Sequence, residues 1–94
     1  MPPRFTWNRV KAARNEIKHS VTFEEAASVF RDPLAFLFDD VRHSEDEYRE
    51  LIIGHSGRQR ILIVSFTERK GTIRLISARK ATNRERTEYE SQRR

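Results

Sequence analysis

The chain has 94 residues, no cysteine and a formal net charge of +5. Hydrophobic residues make up 36% and charged residues 35%, so we expect a single domain over residues 1–94 with a modest core. The lack of cysteine excludes disulfides and thiolate metal sites. No apolar run is long enough for a membrane span or a secretion signal, so we expect a cytoplasmic protein without a membrane partner.

The positive charge is concentrated near the carboxyl end of the sequence. Residues 1–68 carry ten Lys/Arg and eleven Asp/Glu, whereas residues 69–94 carry nine basic and three acidic residues. A clustered positive field attracts a polyanion or an acidic protein partner. A solvated charged tail has the same composition, so charge alone leaves both interpretations open.

A first helix is predicted over Arg9–Lys18, because Asn8 can cap it and His19 and Ser20 would end it. Its apolar face is predicted from three residues at three- and four-residue spacings: Val10, Ala13 and Ile17.

A second short helix is predicted after Thr22, which forms a capping-box pattern with Glu25. This helix should end near Asp32 and Pro33. Its apolar stripe consists of Phe23, Ala26, Ala27 and Phe30.

Four strand-like segments then follow, and an exposed acidic loop, residues 39–47, is expected after the first. Because the last three segments are joined by short turns containing glycine, we expect antiparallel pairing, with the very apolar Ile61–Phe66 in a central strand. Gly71 is expected to take a positive φ in its turn. The four segments are residues 34–38, 48–55, 60–67 and 72–80.

Strict alternation along the fourth strand predicts which side chains share a face. Arg79 and Lys80 would emerge at its end, beside a final helix opened by the capping pair Thr82 and Glu85. Backbone N–H groups at a helix start, together with a guanidinium and an ammonium, can hold a phosphate. One face would contain Ile73, Leu75 and Ser77, and the other Arg74, Ile76 and Ala78.

Two weaker features qualify this interpretation. The final helix has few apolar residues beyond Ala81 and Tyr89, so little burial is expected to anchor it. The cations at the strand end could instead solubilise an edge or pair with Glu50 and Glu68, and Arg74 could form a structural ion pair. The predicted order is two amino-terminal helices, a four-stranded antiparallel sheet and a carboxyl-terminal helix, an α+β fold.

The catalytic chemistry that these residues allow is narrow. The three histidines, at positions 19, 43 and 55, have no metal-ligand spacing, and no nucleophile elbow, P-loop or dinucleotide fingerprint is present. Side chains alone can cleave RNA, because a base can take the 2′-hydroxyl proton while cations stabilise the phosphate charge. Composition does not separate such an enzyme from a passive binder.

Two motifs resemble the BrnT family. They are "FTWNRVKAARNEIKHSVTFEEAASVF" and "RLISARKATNRERTEY", with Arg49 and Gly54 at the expected places between them. Asn8 replaces a common Asp, and Ser20 replaces a common Gly, so Ser20 must accept whatever backbone angle the glycine supplied. The resemblance implies a RelE-like fold and a ribonuclease toxin of a type II toxin–antitoxin system. It also implies a BrnA-type ribbon-helix-helix antitoxin that supplies the DNA contact, and no cofactor or metal.

The resemblance also assigns site residues. Arg79 would stabilise the phosphate with help from Lys80 and Arg74, and Glu68 or Glu85 would be the base, although Glu85 could only complete the capping box. His19 would protonate the leaving oxygen or bond to nearby backbone, and Tyr89 would stack on a base or dock the last helix. Trp7 is expected in the core. The catalytic candidates are Arg79, Glu68, Lys80, His19 and Glu85, and the RNA-binding candidates are Arg69, Lys70, Arg74, Arg84 and Tyr89.

Two other functions share the charge pattern. One is a nucleic-acid-binding module without catalysis, and the other is a basic face whose purpose is to receive an acidic antitoxin.

Overall fold

The protein has an α+β fold with three α-helices and one five-stranded mixed sheet. The structure, a computed structural model, describes residues 3–40 and 48–92. None of the helices in these ranges is long and apolar enough to cross a bilayer. The strands are β1 (Arg4–Thr6), β2 (Phe36–Asp39), β3 (Glu50–His55), β4 (Ile61–Arg69) and β5 (Thr72–Lys80); the helices are α1 (Arg9–His19), α2 (Phe23–Ser28) and α3 (Asn83–Gln92), with a 3₁₀ turn at Val29–Arg31.

The sheet order is β1-β5-β4-β3-β2, which confirms β4 as the central strand. The predicted four-stranded antiparallel sheet is wrong in strand number and in one direction, because β1 pairs with β5 in parallel. Three residues with one aromatic side chain carry no alternating pattern, so β1 gave no strand signal. Tertiary packing holds it, since the Phe5 ring packs edge-on against the Phe30 ring at 5.3 Å. The loop begins one residue later than predicted, because Asp39 ends β2. Residues 41–47 of the predicted acidic loop lie outside the described ranges.

Helix α1 has the predicted caps. The Asn8 side chain accepts the Lys11 N–H at 3.0 Å, and the helix ends at Ser20 with a left-handed φ of 58°. Ser20 therefore takes the conformation that glycine adopts without strain.

The predicted apolar face of α1 is wrong. Val10 is 59% and Ile17 is 85% exposed, and Ala13 is exposed as well. The inward face instead carries Ala12, Asn15 and His19, at spacings of three and four residues. A polar residue replaces an apolar one at its centre because Asn15 bonds to the edge of the sheet.

Helix α2 covers the same face of the sheet as α1, and it uses only half of the predicted capping box. The Thr22 hydroxyl accepts the Glu25 N–H at 3.1 Å. The Glu25 carboxylate turns inward instead, where it accepts Arg60 Nε at 2.9 Å and the Ser56 hydroxyl at 2.7 Å. The Arg60 hydrogen bond lowers the pKa of Glu25, although burial opposes it. This ion pair ties α2 to the β3–β4 turn.

The β4–β5 hairpin contains a bulge that changes the predicted alternation. Ser65 pairs with Ser77 and Phe66 pairs with Leu75, so Ile76 is an extra residue in β5. The two-residue turn Lys70-Gly71 has positive φ at both positions, as the glycine prediction required. Beyond the bulge the faces are exchanged, so that Ala78 joins the buried core and Ser77 lies on the opposite face.

The main core lies between the sheet and the helices α1 and α2, and Trp7 packs against it with its ring edge-on to Phe23 at 6.0 Å. The core residues are Val21, Phe23, Ala26, Val29, Ile52, Leu62, Val64, Phe66, Ile73, Leu75 and Ala78.

Gly54 lies where the 3₁₀ turn and the start of β2 approach β3 closely. A Cβ added there would meet Ala35 Cβ at 2.8 Å, Asp32 Oδ2 at 3.0 Å and Val29 Cγ1 at 3.2 Å. The φ of Gly54 is not positive, so its backbone conformation does not require glycine. Glycine is needed there because a methyl group has no room.

We therefore expect Gly54→Ala to lower the free energy of unfolding by about 1–3 kcal/mol through overpacking. Gly57→Ala is the matched control, because its added Cβ would find nothing closer than 3.5 Å. Urea denaturation of both variants measures the difference. Equal stability of the two variants would contradict the close approach at Gly54.

Candidate active site

The face of the sheet that α1 and α2 leave open carries a cleft beside the start of α3. Its volume is about 660 Å³. It contains both signs of charge, which proton transfer and phosphate stabilisation together require. Its lining residues are Asp39, Asp40, Arg49, Leu51, Ile63, Ser65, Ile76, Ser77, Arg79 and Glu85.

Arg79 and Glu85 form a two-pronged ion pair in this cleft. Arg79 Nη1 donates to Glu85 Oε1 at 2.8 Å, and Nη2 donates to Oε2 at 2.9 Å. The Arg79 side chain remains 42% exposed. A guanidinium carries five N–H donors, so donors remain for a phosphate oxygen.

Glu85 combines this pairing with the predicted capping box of α3. Its Oε1 accepts the Thr82 N–H at 2.8 Å, and the Thr82 hydroxyl accepts the Glu85 N–H at 3.1 Å. The Arg79 hydrogen bonds lower the pKa of Glu85 to about 2, burial opposes that shift, and the Thr82 N–H adds to it. A carboxylate with so low a pKa is a weak proton acceptor near neutral pH.

A buried serine lies at the bottom of the cleft. Ser65 is 5% exposed, and its Oγ has no hydrogen-bond partner among the described residues. It lies opposite Ser77 across the β4–β5 pair. A polar atom left unpaired inside a cleft is a group that a ligand can satisfy.

Tyr89 anchors α3 over the end of this face and is fully buried. Its hydroxyl donates to Asp32 Oδ2 at 2.5 Å and lies 3.2 Å from His55 Nδ1. Its ring stacks on Phe36 at 5.6 Å. In the structure Tyr89 therefore docks the last helix. This one buried aromatic side chain anchors α3, although few apolar residues were predicted in that helix.

Asp32 receives further hydrogen bonds in this anchor. The His55 backbone N–H donates to its Oδ2 at 2.7 Å, and the Leu34 N–H donates to its Oδ1 at 2.9 Å. Burial raises the pKa of Asp32, but these bonds and the Tyr89 hydroxyl outweigh burial and lower it. The carboxylate thus stays charged and holds α3, the 3₁₀ turn and β3 together.

His19 ends α1 on the helix-covered side of the sheet. Burial lowers the pKa of His19, and the charges of Lys18 and Arg79 lower it further. The imidazole is therefore neutral near pH 7 and is suited to accept a proton rather than to donate one.

The structure separates two other catalytic candidates from Arg79. Lys80 pairs with Leu62 and Glu68 pairs with Ile73, and these partners belong to the core on the helix-covered face. Both side chains are exposed on that side of the sheet, whereas Arg79 lies on the open face.

The four cationic RNA-binding candidates are spread over the surface, whereas the fifth, Tyr89, is buried. Arg69 and Lys70 are exposed at the tip of the β4–β5 hairpin, and Arg84 is an exposed residue of α3. Arg74 is exposed before the bulge, and within residues 3–40 and 48–92 no ion pair is found for it. These cations surround the open face rather than line the cleft.

Sequence reasoning missed several residues of the cleft. Asp39 and Asp40 belonged to a segment predicted as an exposed loop. Arg49 was named only as part of the family resemblance and was not assigned to a site. Ser65 gave one signal that could have been used, since it is the one polar residue within the apolar segment Ile61–Phe66.

The depressed pKa of Glu85 predicts a change of stability in acid. A group with a folded pKa of about 2 and an ordinary value of 4.5 contributes stability that is complete above pH 4.5 and is lost as the pH falls towards 2. The difference in free energy of unfolding between the wild type and Glu85→Gln should shrink over that window, as measured by urea denaturation. Glu88→Gln is the control, because that carboxylate is 70% exposed and 3.7 Å from Arg84. A Glu85→Gln difference that does not change with pH would contradict the pairing.

Two comparisons with known proteins give matches, one to a family and one to a solved structure. Residues 7–85 match the family described as "Ribonuclease toxin, BrnT, of type II toxin-antitoxin system". The crystal structure of the Brucella abortus ribonuclease toxin, BrnT, is similar, with a TM-score of 0.67 and 23% identity over 86% of this chain and 99% of that one. No curated protein matches the sequence significantly. The family match covers most of the chain, most of both motif segments and the cleft residues, and the chain therefore belongs to the BrnT family of ribonuclease toxins of type II toxin–antitoxin systems.

Proposed function

We propose that the protein cleaves RNA in the Arg79 cleft without a metal ion. The 2′-hydroxyl attacks the adjacent phosphorus, the bond from phosphorus to the 5′-oxygen breaks, and the products are a 2′,3′-cyclic phosphate and a 5′-hydroxyl. The hydroxyl proton goes to a base, and the leaving 5′-oxygen receives a proton from an acid. The observation that carries the proposal is the half-exposed Arg79 guanidinium, held by Glu85 in a cleft that also contains carboxylates.

Arg79 is assigned to the phosphate. A planar fork of N–H donors fits two phosphate oxygens, and its position next to a low-dielectric floor strengthens the interaction as charge develops. Glu85 acts by orienting the fork, because its two oxygens fix both terminal nitrogens. The Ser65 and Ser77 hydroxyls at the floor are assigned to ribose or phosphate oxygens.

The base must lie in the cleft and must not be a strongly acidic carboxylate that is already paired. Glu85 is too acidic, and Glu68 lies on the other side of the sheet. Asp40 lines the cleft, whereas His19 ends α1 on the helix-covered side. We therefore assign the base to Asp40, so Asp40→Asn should remove the acidic limb of the pH–rate profile.

The surrounding cations are assigned to the RNA backbone. Arg69, Lys70, Arg74 and Arg84 would contact phosphates away from the scissile bond, so each should contribute to affinity and to its salt dependence rather than to turnover.

The partner is proposed to be a BrnA-type ribbon-helix-helix antitoxin, which would also make the DNA contact of the complex. We further propose a relationship to RelE-like toxins. The exposed outer face of α1 supports a protein partner, because Val10 and Ile17 lie there beside Arg14 and Lys18. Apolar side chains flanked by cations fit an amphipathic acidic segment.

The purified protein should degrade RNA in the presence of a chelator, and Arg79→Ala should fold normally but lose roughly a hundredfold or more of its kcat. Gel analysis of a labelled RNA with a cyclic-phosphate-specific readout measures both. A requirement for added Mg²⁺, or full activity of Arg79→Ala, would contradict the mechanism.

Arg84→Ala removes the same charge from a side chain that is 90% exposed and outside the cleft. It should weaken RNA binding and reduce its salt dependence while kcat stays unchanged. Tight, salt-sensitive binding with intact RNA after long incubation would instead select the binding module without catalysis.

Ile17→Asp should weaken neutralisation by a co-expressed BrnA-type antitoxin, because it places like charge against an acidic segment, and it should leave ribonuclease activity intact. Leu37→Asp is the matched control, since Leu37 is also an exposed apolar side chain, at 56%, but lies on the edge strand β2. Neutralisation that is lost in Leu37→Asp and kept in Ile17→Asp would move the interface to that edge.

A further inference from the structure

Asn15 completes the exposed edge of β5 next to Arg79. Strand β1 pairs only with residues Thr72, Ile73 and Arg74 of β5, so it does not reach the strand's second half. There the Asn15 side chain takes the place of a neighbouring strand. Its Nδ2 donates to the Ala78 carbonyl at 2.8 Å, and its Oδ1 accepts the Ala78 N–H at 3.0 Å.

The orientation of this carboxamide is fixed by a third hydrogen bond. Nδ2 also donates to the Val21 carbonyl at 3.1 Å, and Asn15 as a whole is only 8% exposed. A reversed amide would place its oxygen against two carbonyl oxygens, so one orientation alone satisfies every group. Asn15 thereby joins α1, the loop that follows it and the edge of β5.

The location of these bonds matters because of the bulge at Ile76. A shift of one residue in register moves every side chain of a strand to the opposite face. Counted strictly by alternation from Ile73, Arg79 would fall on the helix-covered face. The bonds from Asn15 hold Ala78 with its methyl group in the core, which directs the next residue, Arg79, into the cleft.

We infer that Asn15 is a positioning residue for Arg79: its carboxamide holds the Ala78 peptide so that the Arg79 guanidinium points into the cleft on the open face. The inference rests on the proposed role of Arg79 in cleavage. Asn15 does not contact the substrate in this assignment, and its effect on turnover passes through Arg79.

The matched control lies on the same helix. Asn8 also accepts a backbone N–H through its side chain, but that N–H belongs to Lys11 at the other end of α1. Asn8→Ala should therefore destabilise α1 without changing the edge of β5. A purely structural role for Asn15 predicts that both alanine variants keep the kcat of the wild type when they are folded.

The experiment measures kcat and KM for RNA cleavage by Asn15→Ala, Asn8→Ala, Arg79→Ala and the double variant Asn15→Ala/Arg79→Ala, each well below its melting temperature. We expect kcat of Asn15→Ala to fall roughly tenfold to a hundredfold with KM changed little. Asn8→Ala should keep its kcat, and adding Asn15→Ala to Arg79→Ala should cause no further loss. An Asn15→Ala kcat equal to that of Asn8→Ala, or a full additional loss in the double variant, would overturn the inference.

A second readout does not depend on ribonuclease activity. The NMR signal of the Arg79 Nε–H group should shift or broaden in Asn15→Ala, because the guanidinium loses its fixed pairing with Glu85, and should be unchanged in Asn8→Ala. An unchanged signal in Asn15→Ala overturns the positioning role even if cleavage by Arg79→Ala shows that the proposed function is wrong. If Asn15→Ala does not fold, Asn15→Asp serves in both assays, since its second carboxylate oxygen would face the two carbonyl oxygens that Nδ2 now binds.

Discussion

The single extra residue in β5 determines on which face of the sheet Arg79 lies. An uninterrupted strand would place Arg79 on the same face as Ile73 and Leu75, which is covered by helices. The bulge exchanges the two faces after Ile76, so that Ala78 fills the core and Arg79 reaches the open side. One strand thus supplies apolar core before the bulge and a reactive cation after it, without burying a charge.

The small core makes buried polar contacts more important than they would be in a larger domain. The Glu25–Arg60 pair joins α2 to the β3–β4 turn. The Asp32–Tyr89 hydrogen bond joins α3 to the end of the 3₁₀ turn. Removing one partner of such a buried pair leaves a charge or hydroxyl unsatisfied, which costs more than the intact bond contributes. These contacts therefore specify how the helices are placed, and the position of α3 in turn brings Glu85 to Arg79.

The sequence predicts those features that depend on short-range patterns. The caps of α1 and α3, the positive φ of Gly71, the order of the main elements and the central position of β4 were predicted correctly, because each follows from spacing or local backbone preference. The buried face of α1 was not, because its central residue is Asn15, whose partner lies 63 positions away. The bulge and β1 were missed for the same reason, since tertiary contacts select them and no local period records them.

The residues of the candidate site could be predicted from the sequence only in part. Local patterns place Arg79 at the end of β5 and Glu85 in the capping pair that follows, whereas Asp39 and Asp40 join them only through folding. Part of the positive charge after residue 68, on Arg69, Lys70, Arg74 and Arg84, is exposed around the open face, where it can attract a polyanion over several ångströms. Attraction of this kind concentrates RNA at the surface, but it does not cleave it. Cleavage needs a proton acceptor beside a cation, so the mixed-charge cleft rather than the basic surface is the part of the molecule suited to the reaction.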